Sequence, residues 1–565
     1  MMFRQRIAGL VQEALPEEAI RHIDIGTIIE IPADPKLGDY AFPAFSLARV
    51  LKKAPQRIAQ EVADSITPPP WVERMEVVGG YLNFFIEKSF MVREVLQRIQ
   101  DEGEAYGSSQ TGQGRTVVID FSSPNIAKPV AVGLIRTTVL GHSLYRIFAH
   151  QGYHVERVNH LGDWGTQCGK WIVAYELWGD EERLKADPIK ELFQLYVRFH
   201  QEAETQPELD DRAREAFRRL EQGDPELLAL WRRFRELSIK EFERVYARLG
   251  IEFDSYAGEA FYEDKMPRVL EILTEKGLLK DSEGAAIVEL EDLPPCLIKK
   301  SDGSTLYATR DLAAALYRWE HYRPSLVLYV VGAPQQLHFK QVFAVLRLMG
   351  MDWVDRYEHI AFGTIRLGDE AMSTRRGNVV FLEDLLDEAT GRARAIIDER
   401  NPGLADKDEV AEMVGIGAVL FYFLMFNRMK DISFDWAAAL NYEGDSGPYV
   451  QYTYARAGSV LRRADAEVLP VAELNTGALT EPEELALVKE LARFGSVVAS
   501  AEAGREPSAI ARYLLELCRV FNGFYHAHRI VGSDVMAERL ALLDATRTVI
   551  RNGLYLLGIR APEEM

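Results

Sequence analysis

The sequence predicts an α/β fold, a doubly wound parallel sheet interrupted by a helical insertion, with a small α+β unit before it and an all-helical unit after it. Three observations predict it. Residues 115–159 read strand, loop, helix, strand: Val- and Ile-rich runs at 116–121 and 154–159 flank a helix expected over 133–151. Such a βαβ unit implies parallel strands and a right-handed crossover. The pattern returns with a nearly continuous apolar strand at 326–332, a helix over 335–349 and a strand at 359–363. Between the two halves, residues 170–290 are highly charged, with helical periodicity over 189–205 and 225–249. The ligand crevice of this kind of sheet lies outside the carboxyl ends of its strands.

The flanking units follow in order. Residues 1–105 are expected to form the small unit, with helices over 3–15 and 45–63, an extended stretch at 27–33 and strand-like 75–85. Residues 103–114 have turn composition and read as a linker. The sheet unit is expected over 115–383, and after about 384 nearly everything reads as helix. The longest apolar run, 413–426, is shorter than the roughly 18 residues that span a bilayer, and reads as a buried helix. Arg505, Arg512 and Arg519 recur every seven residues and suggest a basic helix stripe.

Composition narrows the class. A chain of 565 residues exceeds one core. With 47% apolar and 27% charged residues it reads as a soluble globular protein. A net charge of −20 argues against a nonspecific nucleic-acid binder but leaves room for a specific RNA partner that meets a local basic surface. Cys168, Cys296 and Cys518 lie far apart, without zinc or disulfide spacing. Neither a structural zinc nor an oxidising compartment is expected, and with no signal-peptide pattern a cytoplasmic protein is.

Two segments carry the chemistry. In Asp120-Phe-Ser-Ser-Pro-Asn-Ile-Ala-Lys-Pro129 and the residues up to Thr138, a strand runs through a loop into a helix. Pro124 and Pro129 are expected to keep the loop extended. Gly133 lets a ligand approach the backbone, and the helix N-terminus behind it can receive phosphate. The second segment, Ala371-Met372-Ser373-Thr374-Arg375-Arg376-Gly377, offers two guanidinium groups, two hydroxyls and a hinge glycine, which suits a polyphosphate gaining charge.

Together these segments resemble the two signature loops of class I aminoacyl-tRNA synthetases in the arginyl form. Further strings match the arginyl-tRNA synthetases closely: Asn159-His-Leu-Gly-Asp-Trp-Gly165, Tyr307-Ala-Thr-Arg-Asp311 and Gly332-Ala-Pro-Gln-Gln-Leu-His338. So do Gly38-Asp39-Tyr40 near the start and Asn441 to Tyr452 and Phe521 to His528 further on. The resemblance covers essentially the whole chain. It implies a Rossmann catalytic core, an N-terminal appended tRNA-binding domain and a C-terminal helical anticodon-binding domain, with ATP, carried with Mg²⁺, arginine and tRNA(Arg) as substrates, most simply in a monomer. It also implies roles. Asn125 and Gln335 hold the amino-acid head group. Tyr307 and Asp311 hold the guanidinium, through an aromatic face and a planar acceptor, and Asp120 adds a second counter-charge. Ala131, Gly133, Leu134, Met372 and Ser373 line the ATP site, and Lys128, Gly133, Ser373, Arg375 and Arg376 are expected to act in catalysis. Tyr449, Gln451, Arg456 and Arg512 are expected at the tRNA.

The chain departs from the family where charge develops. The usual His-x-Gly-His tetrad reads Ala131-Val132-Gly133-Leu134, and the usual leading Lys of the second loop is Ala371. Losing one such donor typically costs about 10²–10³ in rate, although losses among cooperating groups do not add. In the family a Lys just before the tetrad is held to replace the missing one, and Lys128 stands there; His142, Arg375 and Arg376 are other possible donors. The leading reading is arginine activation and transfer to tRNA. The alternatives are a paralogue that binds arginine or tRNA as a sensor or regulator, and a transferase that passes arginine to a non-RNA acceptor.

Overall fold

The structure, a computed structural model, describes residues 2–21, 23–300, 307–366 and 380–565. Its centre is a parallel sheet with the order Tyr357–His359, Leu326–Tyr329, Thr116–Asp120, His154–Val158. Alternate residues of a strand face opposite sides, and both sides are apolar here. Val117, Ile119 and Leu328 enter one core, while Val118, Val158 and Val327 enter another. The first core is shared with helix Ile135–His150, the N-terminal unit and the C-terminal helices; the second lies under Met266–Glu275, Tyr307–Tyr322 and Gln336–Leu348. Gly141 lets helix and strand close up, because a Cβ there would lie 2.2 Å from the Phe121 ring.

The fourth core strand differs from expectation. It is Tyr357–His359; beyond it Ile360 N still donates to Tyr329 O and Phe362 bridges Gly332, and Ile365–Arg366 then pairs with Ile432–Ser433. The insertion is helical through Pro225–Leu249 as its periodicity indicates. It also holds an antiparallel sheet, Leu279–Ser282, Ala285–Val288 and Cys296–Lys299. Those strands are four residues each, too short for an alternation to register.

In the N-terminal unit the single strand expected over 75–85 is a hairpin, Val72–Val78 and Tyr81–Ile86, turned at Gly79 with φ 61°. The stretch expected to be extended at 27–33 begins as a helical turn, Ile25–Ile28, because the Asp24 carboxylate caps the Gly26 N–H at 2.9 Å. The helix expected over 45–63 breaks at Lys52, φ 51°, and restarts with Pro55 in its first turn. The C-terminal unit is six long helices from Leu382–Arg400 to Met536–Leu556. It docks on helix Ile135–His150: Ser143 Oγ donates to Leu556 O at 2.8 Å and Arg146 to Tyr555 O at 2.7 Å.

Candidate active site

Strands Thr116–Asp120 and Leu326–Tyr329 are neighbours, and the chain leaves their carboxyl ends toward opposite edges of the sheet. That is a topological switch point. A cleft of about 410 Å³ opens there, lined among others by Ser123, Gly133, Leu134, Gly332, Gln335 and Thr364. Helices Ile135–His150 and Gln336–Leu348 both start beside it, each entered through a short 3₁₀ turn. Two helix N-termini thus aim their positive ends at one space. A Cβ on Gly133 would meet nothing within 4 Å, so its side of the cleft is open to a ligand.

The first signature loop is coiled, not extended as its prolines suggested. Ser122, Ser123 and Ala127 have φ of 70°, 51° and 54°. Non-glycine residues hold this region only when surroundings impose it, and here they do. Ser122 Oγ bonds the Thr138 and Tyr246 hydroxyls at 2.8 and 2.7 Å. Ser123 N donates to Asn159 Oδ1 at 3.1 Å, and Ala127 N to Ser238 Oγ at 2.8 Å. Thr137 ties the loop to the other half of the sheet by donating to Val330 O at 2.6 Å.

Ala371, Met372, Ser373, Arg375 and Arg376 lie outside the described residues. The chain on both sides of them is held against the first signature. Val132 N donates to Val380 O at 3.0 Å, Leu382 N to Val130 O at 2.8 Å, and Ala131 pairs with Phe381. On the other side Arg136, buried, donates to the carbonyls of Gly363, Lys430 and Asn427 at 2.7, 2.6 and 3.2 Å. Burial pulls its pKa down to about 10, so it stays charged at neutral pH.

Tyr307 and Asp311 stand one turn apart on helix Tyr307–Tyr322, on one face. Tyr307 is 66% exposed. Asp311 Oδ2 meets His338 Nε2 at 2.5 Å. Burial works to raise the Asp311 pKa, but the His338 hydrogen bond and the charges of His338, His160 and Arg318 overcome it and hold the carboxyl below its usual range. Gln335 lines the cleft. Asn125 is exposed on the loop after Ser123 and bridged to Gly162, with Gln167 Nε2 donating to its Oδ1 at 3.4 Å.

Asp120 corrects the sequence reading. It is no spare counter-charge: Arg318, 1% exposed, donates to Oδ2 at 2.7 Å, and Ser123 Oγ to Oδ1 at 3.0 Å. Arg310 makes a second inner pair with Glu263 at 2.9 Å and Glu259 at 3.5 Å. Burial pushes Glu259 up to about 7. Arg136, Arg318, His338 and Glu259 were missed in the sequence. Arg136 and His338 stood within recognised strings but as unremarked residues, and pairs so distant in the chain have no periodic signal.

Lys128 turns away from the cleft. Its Nζ lies 4.1 Å from the Tyr196 ring centroid and 5.8 Å from Trp171, both on helices of the insertion. His142 is no phosphate donor: it is 2% exposed, against Gly558 of the C-terminal unit, and burial drives its pKa well down. Asp163 and Trp164 are packing residues; Asp163 accepts from Arg235 at 2.8 Å and from Ala260 N at 2.9 Å.

Two further grooves lie on the flanking units. One, of about 560 Å³, is lined by Tyr452, Arg456, Arg462, Arg463, Tyr525 and His526, with Arg456 over the Tyr452 and Tyr525 rings at 4.7 and 5.5 Å. Tyr449, behind it, accepts from Asn522 at 2.9 Å. The other, of about 390 Å³, joins Lys36, Arg74, Phe85 and Lys88 to Lys489, which pairs with Asp39 at 2.5 Å. Gln451 is a correction: fully buried, it donates to Met413 O and Arg560 O at 3.1 and 2.8 Å and cannot reach an RNA. The arginine stripe is another. Arg505 caps helix Pro482–Gly504 and pairs with Glu358 at 3.0 Å, Arg519 pairs with Asp445 at 2.6 Å, and Arg512 alone is an exposed cation of helix Ser508–Ala527 with no such pair among the described residues.

Comparison with known proteins matches residues 95–436 to the family of class I (R) tRNA synthetase catalytic domains, 450–565 to the DALR anticodon binding domain and 3–86 to the arginyl tRNA synthetase N-terminal domain. An arginine–tRNA ligase of Clostridium botulinum is 49% identical over 563 residues, covering 99% of both chains. One of Clostridium perfringens is 48% identical over 562 residues, covering 98% of this chain and 99% of that one. The Thermus thermophilus arginyl-tRNA synthetase structure superposes with a TM-score of 0.83 at 28% identity, covering 100% of each chain.

Proposed function

This chain belongs to the arginyl-tRNA synthetase family, and we propose that it ligates arginine to tRNA in the cleft between strands Thr116–Asp120 and Leu326–Tyr329. The enzyme is an arginine–tRNA ligase. In the first step an arginine carboxylate oxygen attacks the α-phosphorus of ATP, and pyrophosphate leaves with the electron pair of the broken P–O bond. In the second a ribose hydroxyl of the terminal tRNA adenosine attacks the acyl carbon, and AMP leaves.

The observation that carries this reading is the convergence of two helix N-termini on a cleft whose rim also bears Gln335 and, one helix away, Asp311. Preorganised backbone dipoles stabilise charge that grows in the transition state. They supply part of what Ala131 and Leu134 cannot. Mg²⁺ accompanies ATP and offsets the charge of its phosphates. Gly133, Leu134 and the second signature loop hold the nucleotide, with Lys128 swinging in from Tyr196. Arginine lies with its head group between Asn125 and Gln335 and its guanidinium at Asp311 under Tyr307.

The unit over 384–565 takes the anticodon in the groove of Tyr452, Arg456 and Tyr525, where stacking rings and cations suit single-stranded bases. Tyr449 supports it from behind, and Arg512 meets the backbone. The unit over 1–105 takes the far end of the tRNA along Lys36, Arg74 and Lys88. The protein works as a monomer in the cytoplasm; among the described residues no helix is long and apolar enough to cross a membrane.

The test is charging of purified tRNA(Arg) with labelled arginine, ATP and Mg²⁺. Robust charging is expected. Binding of arginine and tRNA without charging would favour the sensor reading, and adenylate passed to a non-RNA acceptor would favour the transferase.

A further inference from the structure

His338 has no role in the steps above, yet it holds Asp311, the carboxylate proposed to meet the guanidinium. It sits in the first turn of helix Gln336–Leu348, three residues beyond Gln335. Asp311 sits in the second turn of helix Tyr307–Tyr322, four residues beyond Tyr307. The Nε2···Oδ2 contact of 2.5 Å therefore joins the two helix starts that hold opposite ends of the amino acid. Among the described residues no other side chain donates to Asp311. The neighbouring carboxylates are engaged by the protein's own arginines: Asp120 by Arg318, Glu263 and Glu259 by Arg310.

The imidazole is itself held. Its ring meets Phe339 edge-on, with centroids 5.4 Å apart, and Phe339 stacks on His359 at 4.5 Å. His359 in turn is fixed by its contact with Val331 O at 2.9 Å, at the carboxyl end of the sheet. A positioning group works when its own rotamer is locked.

We propose that His338 is a positioning residue for the arginine side chain. By occupying Oδ2 it aims Asp311 Oδ1 at the guanidinium and fixes the span between that carboxylate and Gln335. The span is a ruler for side-chain length. It matches a guanidinium on three methylenes and disfavours the same group on four, as in homoarginine.

The inference rests on the proposed placement of arginine at Asp311, and the test separates the two. Steady-state charging of tRNA is measured for wild type, Asp311→Asn, His338→Ala and His338→Gln, varying arginine and ATP separately, with homoarginine as competitor and Tm recorded for each. The Gln amide can donate from nearly the place of Nε2. Losing a hydrogen bond to a charged group is worth about tenfold or more in affinity. His338→Ala is expected to raise the KM for arginine about that much, with ATP KM and Tm near wild type, and to narrow the preference over homoarginine. His338→Gln is expected to recover most of both. An unchanged arginine KM in His338→Ala beside a raised one in Asp311→Asn overturns this inference alone. An unchanged KM in Asp311→Asn overturns the placement of arginine and this inference with it. A His338→Ala defect shared equally by ATP, or one that Gln does not recover, means a merely structural histidine and also overturns it.

Discussion

Arg136 donates from Nη1 to the carbonyl of Gly363 at 2.7 Å, so the helix behind the first signature segment holds the strand that leads to the second. The same guanidinium reaches Lys430 and Asn427, and Asn427 donates to Glu506 at the turn between two helices of the C-terminal unit. One buried cation thus joins three parts of the fold at the edge of the cleft. Arg136→Lys keeps the charge but cannot fork to three carbonyls. We expect it to cost about 2–4 kcal/mol of stability, since carbonyls left buried without donors each lose their share. The rate of charging should fall at least tenfold at temperatures where the variant is fully folded. Denaturant unfolding and steady-state kinetics check both; a fall in stability alone would confine Arg136 to the scaffold.

Lys128 is the next case, because its place in the sequence and its place in the structure differ. A cation over an aromatic ring gains roughly 0.5–2 kcal/mol, and the Nζ to Tyr196 contact at 4.1 Å is of that kind. A polyphosphate offers charge-assisted bonds that are stronger, so the lysine can be drawn across when ATP is bound. Lys128→Ala should lower the rate of ATP–pyrophosphate exchange by about 10², with little change in tRNA affinity. If the exchange rate is unaltered, Lys128 stays with Tyr196 throughout and the other groups of the cleft carry the chemistry.

Gln451 and Tyr525 separate structure from recognition within the C-terminal unit. Gln451→Ala strips two partly buried carbonyls, Met413 O and Arg560 O, of their donor. The expected loss is about 2–3 kcal/mol of stability, seen as a lower Tm, with the KM for tRNA unchanged in the folded enzyme. Tyr525→Ala should do the opposite. Its half-buried ring, with Arg456 5.5 Å away, lines the basic groove. Losing a stacked base costs about 1–3 kcal/mol of binding, so the KM for tRNA should rise about tenfold while Tm holds. Equal effects of both variants on tRNA would mean that the groove is not the RNA site.

The sheet was legible because its signal is local: an apolar run, a turn and an amphipathic helix within thirty or forty residues suffice to write a βαβ unit. Helix Pro225–Leu249 was legible at both ends for the same reason, with Asp224 capping its start and Gly250 its end. The backbone of the first signature loop was not. Ser123 precedes Pro124, which disfavours helical dihedrals, yet it holds φ 51° because Asn159 and Asp120 take its backbone and hydroxyl. That is a tertiary decision. The inner ion pairs were hidden likewise: Asp120 and Arg318 are 198 positions apart, and a lone acidic residue at a strand end reads equally well as a ligand or as half of a pair. Gln451 read as a recognition residue because it lies in a string rich in Tyr, and only burial tells it from Tyr452.

Glu259 gives the arginine site a pH signature with a definite sign. Burial raises its carboxyl to about 7, Asp163 and Asp311 add to the rise, and Arg310 opposes it. The unfolded chain releases this proton near pH 4.3. Between about pH 4.5 and 7 the native state therefore binds a proton that the unfolded state does not, and stability falls as pH rises through that window. Glu259→Gln mimics the protonated form and removes the slope. Its Tm should match wild type near pH 4 and exceed it near pH 8, by an amount worth up to about 4 kcal/mol. Parallel curves at all pH values would sink the assignment. Arginine offers a second reading of the same group. A guanidinium paired with Asp311 cancels one of the two negative charges that raise Glu259, so saturating arginine should shift the midpoint of the wild-type slope downward, and should do nothing in Glu259→Gln.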